Sequence, residues 1–212
     1  MRDNYIELER KFRKIDELKF NEHEDLANIE GDISWDQILE YKCSVLIAEA
    51  GSGKTKEMKQ MVAKLEQQQK YAFFCDISVL ATSGFEVEIS SKQQKFEKWK
   101  QGKEVGYFFL DSVDEAKLVD HKNFMTAFKK FVSALGLHLA RVTIVISSRP
   151  TAWKLIEDGN LVKEEFQSIL LSSEKLPNTD YGYSQIKNQK SKTLQQIFQM
   201  MPLTYDQIKN YI

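Results

Sequence analysis

A glycine-rich loop at positions 48–55 has the clearest chemical signature in this sequence: it ends in Gly-Lys-Thr and follows the apolar run 45–47. Such a loop binds phosphate, because small residues let the backbone curl until successive N–H groups point at phosphate oxygens. Lys54 would reach the β and γ phosphates of a nucleotide, Thr55 would offer its hydroxyl to Mg²⁺, and the following helix would turn its positive end toward the anion. The predicted nucleotide contacts are Ala50, Gly51, Ser52, Gly53, Lys54 and Thr55.

The loop departs from the strict phosphate-loop pattern at one position, where Ala48 replaces the first glycine. Alanine is also small and the loop keeps its length, so we expect the cradle to form. A surface loop could match the pattern by accident. However, an apolar strand before the loop and a helical pattern after it are the context that makes this motif specific.

A second candidate site begins at Asp111, directly after the apolar run 107–110. A carboxylate at the tip of a buried strand has a physical reason if a cation meets it, and Mg²⁺ bound through Thr55 and the phosphates is that cation. Glu115, or Asp114, follows at a distance that would let it polarise an attacking water. The simpler alternative is that Asp111 only caps a turn after an ordinary strand.

A third group of polar residues, Ser147, Ser148 and Arg149, ends the apolar strand predicted from residue 141. In a parallel sheet, ligands collect at the carboxyl ends of the strands. These residues therefore lie near the phosphates if their strand lies between the first and the third strands. The alternative for Arg149 is a surface ion pair.

Strands and helices that alternate along the chain must position these residues. Apolar runs predict strands near 45–47, 71–77, 107–110, 141–148 and 197–201. Apolar residues at helical spacing predict helices near 34–39, 55–68, 122–135, 151–171 and 204–212. The chain has 212 residues, enough for one sizeable α/β domain or for one domain with appendages.

We divide the chain between residues 33 and 34. Residues 1–33 are rich in charge, with apolar side chains three to four positions apart, which predicts an amphipathic helix, arm or linker laid on the domain. Residues 34–212 form the predicted nucleotide-binding domain, which includes a polar loop or insertion around 172–193.

The charge balance gives no indication of a nucleic-acid or membrane partner, because 30 basic residues face 31 acidic ones. Lysines do alternate with Phe96 and Trp99 in the segment 90–103, a pattern that can bind nucleic acid. Glu97 and Glu104 dilute the positive charge there, so a solvated helix with two aromatic anchors explains the segment more simply.

The remaining composition favours a cytoplasmic protein. Cys43 and Cys75 each lie in a strand-like apolar segment without paired spacing, which is typical of buried thiols in a reducing compartment. The first residues lack an apolar stretch of signal-peptide length, and no later run approaches membrane-spanning length.

The phosphate loop, then Asp-Ser-Val-Asp-Glu at 111–115, then Ser-Ser-Arg-Pro at 147–150 resemble the NACHT branch of the STAND nucleotidases. These proteins are signal-transducing P-loop ATPases of innate immunity and bacterial anti-phage defence. The small Ser112 after Asp111 adds to the resemblance, and so does the segment 201–208, which is similar to the start of the family's helical lid. The similarity spans about residues 34–212.

The resemblance implies a three-layer α/β P-loop NTPase fold of the ASCE class, with a parallel sheet of order 5-1-4-3-2 flanked by helices. It implies ATP or ADP and Mg²⁺ as cofactors, held by Lys54, Thr55 and Asp111. It also implies that Asp114 or Glu115 activates water and that Arg149 senses the γ-phosphate.

Family members continue into a helical domain, a winged helix and sensor repeats, which are missing from this sequence. We therefore expect an ATPase fragment of a larger switch protein, which hydrolyses ATP slowly and self-associates on activation. An AAA+-like motor or loader acting on nucleic acid or protein is the alternative, although no clear arginine finger is present. A degenerate binding module conflicts with the full set of Lys54, Thr55, Asp111 and Glu115, and the missing Asn-Lys-x-Asp motif favours ATP over GTP.

Overall fold

The computed structural model describes residues 10–15, 32–111, 113, 121–173 and 195–209. The strands are β1 (Phe12–Ile15), β2 (Cys43–Ile47), β3 (Tyr71–Asp76), β4 (Gly106–Asp111), β5 (Val142–Ser148) and β6 (Gln195–Met200). The helices are α1 (Trp35–Ile38), α2 (Lys54–Gln67), α3 (Ile77–Ser83), α4 (Phe85–Ile89), α5 (Gln93–Gln101), α6 (His121–Leu135), α7 (Leu155–Ser173) and α8 (Tyr205–Lys209), with 3-10 turns at Ser90–Lys92 and Gly136–Arg141.

The described strands form one sheet in the order β1-β6-β2-β5-β4-β3. Strands β2 to β6 run parallel to their neighbours in this set, whereas β1 is antiparallel to β6. Counted from β2, the parallel part has the predicted order 5-1-4-3-2. Helices cover both faces, so the three-layer α/β architecture of a P-loop NTPase is confirmed, with β1 as a strand that the prediction lacked.

The N-terminal segment contributes a strand at the positions where a helix was one of the expectations. Phe12 and Ile15 are three positions apart, a spacing that fits a helix but in a strand sends the two side chains to opposite faces. Both are buried, in the two different core clusters. Residues 12–15 pair with β6 from Met200 to Ile197, and Phe12 also exchanges hydrogen bonds with Ile33 at 3.0 and 2.8 Å. The helical alternative is therefore wrong for these residues.

The core has two layers, one on each face of the sheet. Met58, Met61 and Leu65 of α2 pack on one face, and Phe124 and Phe128 of α6 pack on the other. Successive residues of the central strands alternate between these layers, which is why the strands appear in the sequence as continuous apolar runs.

Helix α5 covers the β3 edge of the sheet. Its two aromatic anchors, Phe96 and Trp99, are buried, as expected for a solvated helix with two contacts to the core. Two lysines turn back onto the edge strand: Lys92 Nζ donates to Phe74 O at 2.9 Å and Lys95 Nζ to Ala72 O at 2.5 Å. Part of the positive charge in this segment is thus used within the molecule.

The amino ends of β4 and β5 are closed by a stacked arginine and tryptophan. The guanidinium carbon of Arg141 lies 4.1 Å from the Trp99 ring centroid. Arg141 Nη1 donates to Glu104 O at 2.6 Å, and its Nη2 donates to Trp99 O at 2.8 Å and to Lys100 O at 3.1 Å. A Cβ on Gly106 would lie only 2.6 Å from Trp99 Cε2, so this close approach requires glycine.

Other predicted features vary in outcome. Both cysteines are buried free thiols, as expected, and burial raises the pKa of Cys75 to about 12. Helix α7 begins at Leu155 rather than near 151, because a turn directed at the carbonyl oxygen of Arg149 comes first. Most of the polar loop predicted at 172–193 lies outside the described residues. Within the described ranges, no helix is long and apolar enough to cross a membrane.

Candidate functional site

The phosphate loop connects the end of β2 to the start of α2. Gly51 and Gly53 have φ angles of +72° and +91°, in the left-handed region that side chains other than glycine rarely adopt. Gly53 directly precedes the helix, whose first residue is Lys54. The glycines are therefore required by the curvature of the loop, as the sequence predicts, and the amino end of α2 opens toward it.

Lys54 lies across the start of the loop. Its Nζ donates to the carbonyl oxygens of Ala48 at 2.6 Å and Glu49 at 3.0 Å. An ammonium group carries three donors and no acceptor, so these bonds hold the positive charge beside the loop, where a phosphate oxygen could replace a carbonyl as acceptor.

Asp111 joins the phosphate loop helix to the sheet. Thr55 Oγ1 donates to Asp111 Oδ2 at 2.6 Å, and Ser147 Oγ donates to Asp111 Oδ1. Asp111 and Ser147 are both buried, with 3% and 1% of their surface exposed. The carboxylate thus contacts two hydroxyls from other elements, which goes beyond the capping of a local turn. The structure brings together the two residues that were assigned to Mg²⁺, Thr55 and Asp111.

Strand β5 lies between β2 and β4, which is the condition under which Ser148 and Arg149 were expected near the phosphates. Ser148 O accepts from Ala48 N at 3.2 Å, so the end of β5 is bonded to the start of the loop. Ser148 Oγ is buried and donates to Arg149 O at 3.2 Å. Arg149 follows at the carboxyl end, partly exposed; its role as a γ-phosphate sensor stays a prediction.

The two candidate residues for water activation, Asp114 and Glu115, lie outside the described residues. Their role stays a prediction. Another acid, Asp76, is the register partner of Asp111 on the neighbouring strand β3. It was missed as a strand-end acid, although it follows an apolar run as Asp111 does. Its Oδ1 accepts from Ser78 N at 2.8 Å, so it caps α3.

Three further residues, which were absent from the predicted site, form a chain of contacts that leads from the loop: Arg10, Glu57 and Trp35. Arg10 Nη2 donates to Ser52 O at 3.0 Å, and Arg10 Nε lies 3.9 Å from Glu57 Oε2. Trp35 Nε1 donates to Glu57 Oε1 at 2.8 Å. The Trp35 ring is buried against Phe12 and Phe109. No sequence pattern links residue 10 with the loop.

The residues present fit a nucleotide with Mg²⁺. Ser52 Oγ is a buried hydroxyl with no hydrogen-bond partner among the described residues, and it belongs to the loop that would hold the phosphates. The loop, Lys54 and the amino end of α2 supply donors for an anion. Thr55 and Asp111 supply the oxygen donors that Mg²⁺ prefers, and the ion would neutralise phosphate charge when bound.

No family model matches the sequence, and no curated protein matches it either. A solved structure with some similarity is the crystal structure of a DNA replication initiation factor, at 16% sequence identity and a TM-score of 0.36. The match covers 75% of this chain and 59% of that chain. This low similarity gives no indication of what the present chain does.

Proposed function

We propose that this chain is the nucleotide-binding module of a STAND-type switch protein, of the NACHT branch, acting in defence or innate immunity. It binds ATP or ADP with Mg²⁺ and hydrolyses ATP slowly. Exchange of the nucleotide is gated by sensor regions outside this chain and drives self-association and an effector response. The binding of nucleotide is supported by the geometry of the site. Slow hydrolysis, gating and self-association are supported by the sequence resemblance.

One observation carries the binding step: the hydrogen bonds of Thr55 and Ser147 to Asp111, at the foot of a glycine loop that leads into α2. A buried carboxylate is stable when it is hydrogen-bonded, and its position at the Thr55 hydroxyl is where a phosphate-bound Mg²⁺ requires oxygen ligands. Lys54 completes the set, because it brings a positive charge to the same loop.

Titration calorimetry with MgATP and MgADP tests this proposal on the full chain and on Lys54→Ala. The matched control is Lys56→Ala, which removes the same charge from an exposed position in the same helix. We expect the affinity to fall by about a hundredfold or more in Lys54→Ala, since a charge-assisted contact to phosphate is lost, and to change little in Lys56→Ala. Equal losses in the two variants would contradict specific phosphate binding.

A parallel hydrolysis assay separates the switch from the AAA+-like motor or loader. A switch binds nucleotide and turns over slowly when it lacks its partners. Rapid turnover by the isolated chain, or strong stimulation by DNA, would favour the motor instead. Competition by GTP tests the preference for adenine, because equal competition would show that the base is not selected.

A further inference from the structure

Arg10 lies outside every motif in the sequence, yet its guanidinium contacts three separate segments of the fold. Nη2 donates to Ser52 O in the phosphate loop at 3.0 Å, Nη1 donates to Met201 O after β6 at 3.2 Å, and Nε lies 3.9 Å from the Glu57 carboxylate. The side chain has only 9% of its surface exposed. A buried arginine with these partners is held in one position.

The partners of Arg10 are themselves fixed. Glu57 lies in the first turn of α2, is buried, and accepts from Trp35 Nε1 at 2.8 Å. Met201 N donates to Lys11 O at 3.0 Å, which ties the segment after β6 to the residue next to Arg10. The guanidinium therefore approaches the loop from a rigid support on one side.

The bond to Ser52 O has a consequence for the phosphate side of the loop. A trans peptide unit is planar, so its C=O and N–H point in opposite directions. A donor that holds the Ser52 carbonyl toward Arg10 therefore turns the N–H of Gly53 to the side of the loop away from Arg10, which is the side where we infer that a phosphate binds. Arg10 packs closely against this peptide, since a Cβ on Gly53 would lie 3.4 Å from Arg10 Nη2.

We propose that Arg10 is a positioning residue for the phosphate loop: by holding the Ser52 carbonyl it sets the direction of the Gly53 N–H and so raises the affinity for phosphate. The nucleotide part of this inference rests on the proposed function, whereas the effect on the loop does not. It assigns a role at the site to the N-terminal arm.

Hydrogen–deuterium exchange of the nucleotide-free chain tests the effect on the loop. The variant is Arg10→Met, which keeps an unbranched stem and removes the donors. The control is Arg141→Met, since Arg141 also bonds to backbone carbonyls but lies at the opposite end of the sheet. We expect faster exchange in the peptide covering 48–57 in Arg10→Met alone. Equal exchange of this peptide in both variants would overturn the proposal.

Binding of inorganic tripolyphosphate and of MgADP provides the second readout. We expect Arg10→Met to weaken both by about tenfold, because the lost contact orients a phosphate-binding N–H. Arg10→Lys keeps one charged donor and should recover part of the affinity; it also serves if Arg10→Met does not fold. A loss for MgADP without a loss for tripolyphosphate would overturn the proposal in favour of a contact to the base or sugar.

A third comparison distinguishes positioning of the loop by Arg10 from a purely electrostatic effect of its charge. Without Arg10, the buried Glu57 carboxylate would have lost its ion pair and would repel a phosphate. Glu57→Gln removes that charge and keeps the acceptor for Trp35, so the double variant Arg10→Met/Glu57→Gln should remain impaired. Full recovery in the double variant would overturn the positioning role. If the unaltered chain bound no phosphate compound, the proposed function would fail while the exchange experiment still decided on Arg10.

Discussion

An arginine lies at each end of the parallel strands, and the two side chains differ in how completely they are bonded. At the amino ends, Arg141 donates to three backbone carbonyls and stacks on Trp99. At the carboxyl ends, Arg10 donates to two carbonyls, and its buried Nε has no hydrogen-bond partner among the described residues. The nearby Ser52 Oγ is in the same condition.

The difference indicates that the amino and carboxyl ends of the sheet have different roles. Buried polar atoms are usually hydrogen-bonded, and one that is not calls for an explanation, of which a functional role or a bound water or ion are examples. At the amino end, Arg141 uses its donors on backbone carbonyls, whereas at the carboxyl end the Ser52 hydroxyl of the phosphate loop has no partner among the described residues. Substitutions at the amino end should therefore change the free energy of unfolding, and those at the carboxyl end should change binding.

Trp99→Ala should have the largest effect on stability. Trp99 is fully buried, contacts Phe73 and Phe108, and supports Arg141. We expect the free energy of unfolding to fall by about 3–5 kcal/mol, because a large cavity forms. Urea denaturation followed by circular dichroism measures this loss. A loss of MgADP binding free energy of the same size in the folded protein would show that the amino and carboxyl ends of the sheet are not independent.

Gly106→Ala should destabilise the same end by overpacking. The added methyl group would lie 2.6–2.8 Å from the Trp99 ring, so we expect a loss of about 1–3 kcal/mol. Urea denaturation again gives the value. Combined with Trp99→Ala, the same substitution should cost little more, because the ring that it meets is gone. Additive losses would mean that Trp99 is not the obstacle.

Thr55→Val tests the carboxyl end with a nearly isosteric change. The variant removes the donor to Asp111 Oδ2, so we expect a loss of about 1 kcal/mol in stability and a clear loss of Mg²⁺-dependent nucleotide affinity. Calorimetry with and without EDTA measures the nucleotide affinity in the absence and in the presence of Mg²⁺. Thr82→Val is the control, since Thr82 is exposed in α3 and bonds only within that helix and its end. Unchanged affinity in Thr55→Val would contradict the proposed Mg²⁺ ligand.

His138 should produce the smallest effect, a pH dependence at the amino end. Burial and the nearby charges of Arg141 and Lys100 lower the pKa of His138 below 6.5, and Glu97 opposes this shift. Below pH 6.5 the unfolded chain therefore binds more protons than the folded one at this site, so stability should fall as the pH falls.

Urea denaturation between pH 5 and 7.5, about the ordinary pKa of histidine, measures this effect. His138→Gln should be less sensitive to pH than the unaltered chain, because the titrating group is removed. The carboxylates that titrate at lower pH are common to both proteins and cancel in the difference. Identical pH profiles would mean that His138 does not contribute.

The sequence predicts the parallel core because its strands are buried on both faces and leave long apolar runs, as at Val142–Ser148. The sequence also predicts that Asp111 lies near the phosphate loop, because the carboxyl ends of parallel strands lie at the same edge of the sheet. Strand β1 is not predicted from the sequence, since the spacing of Phe12 and Ile15 fits a helix as well as a strand. The contact of Arg10 with Ser52 joins residues 42 positions apart and leaves no periodic signal.

The two lysines on the edge strand have a consequence for how molecules of this protein could meet. The outward carbonyls of Ala72 and Phe74 accept from Lys95 and Lys92. A strand from another molecule would have to displace both ammonium groups before it could extend the sheet at β3. Growth of fibrils or filaments by strand addition is therefore disfavoured at this edge, and ordered assembly would use side-chain surfaces instead.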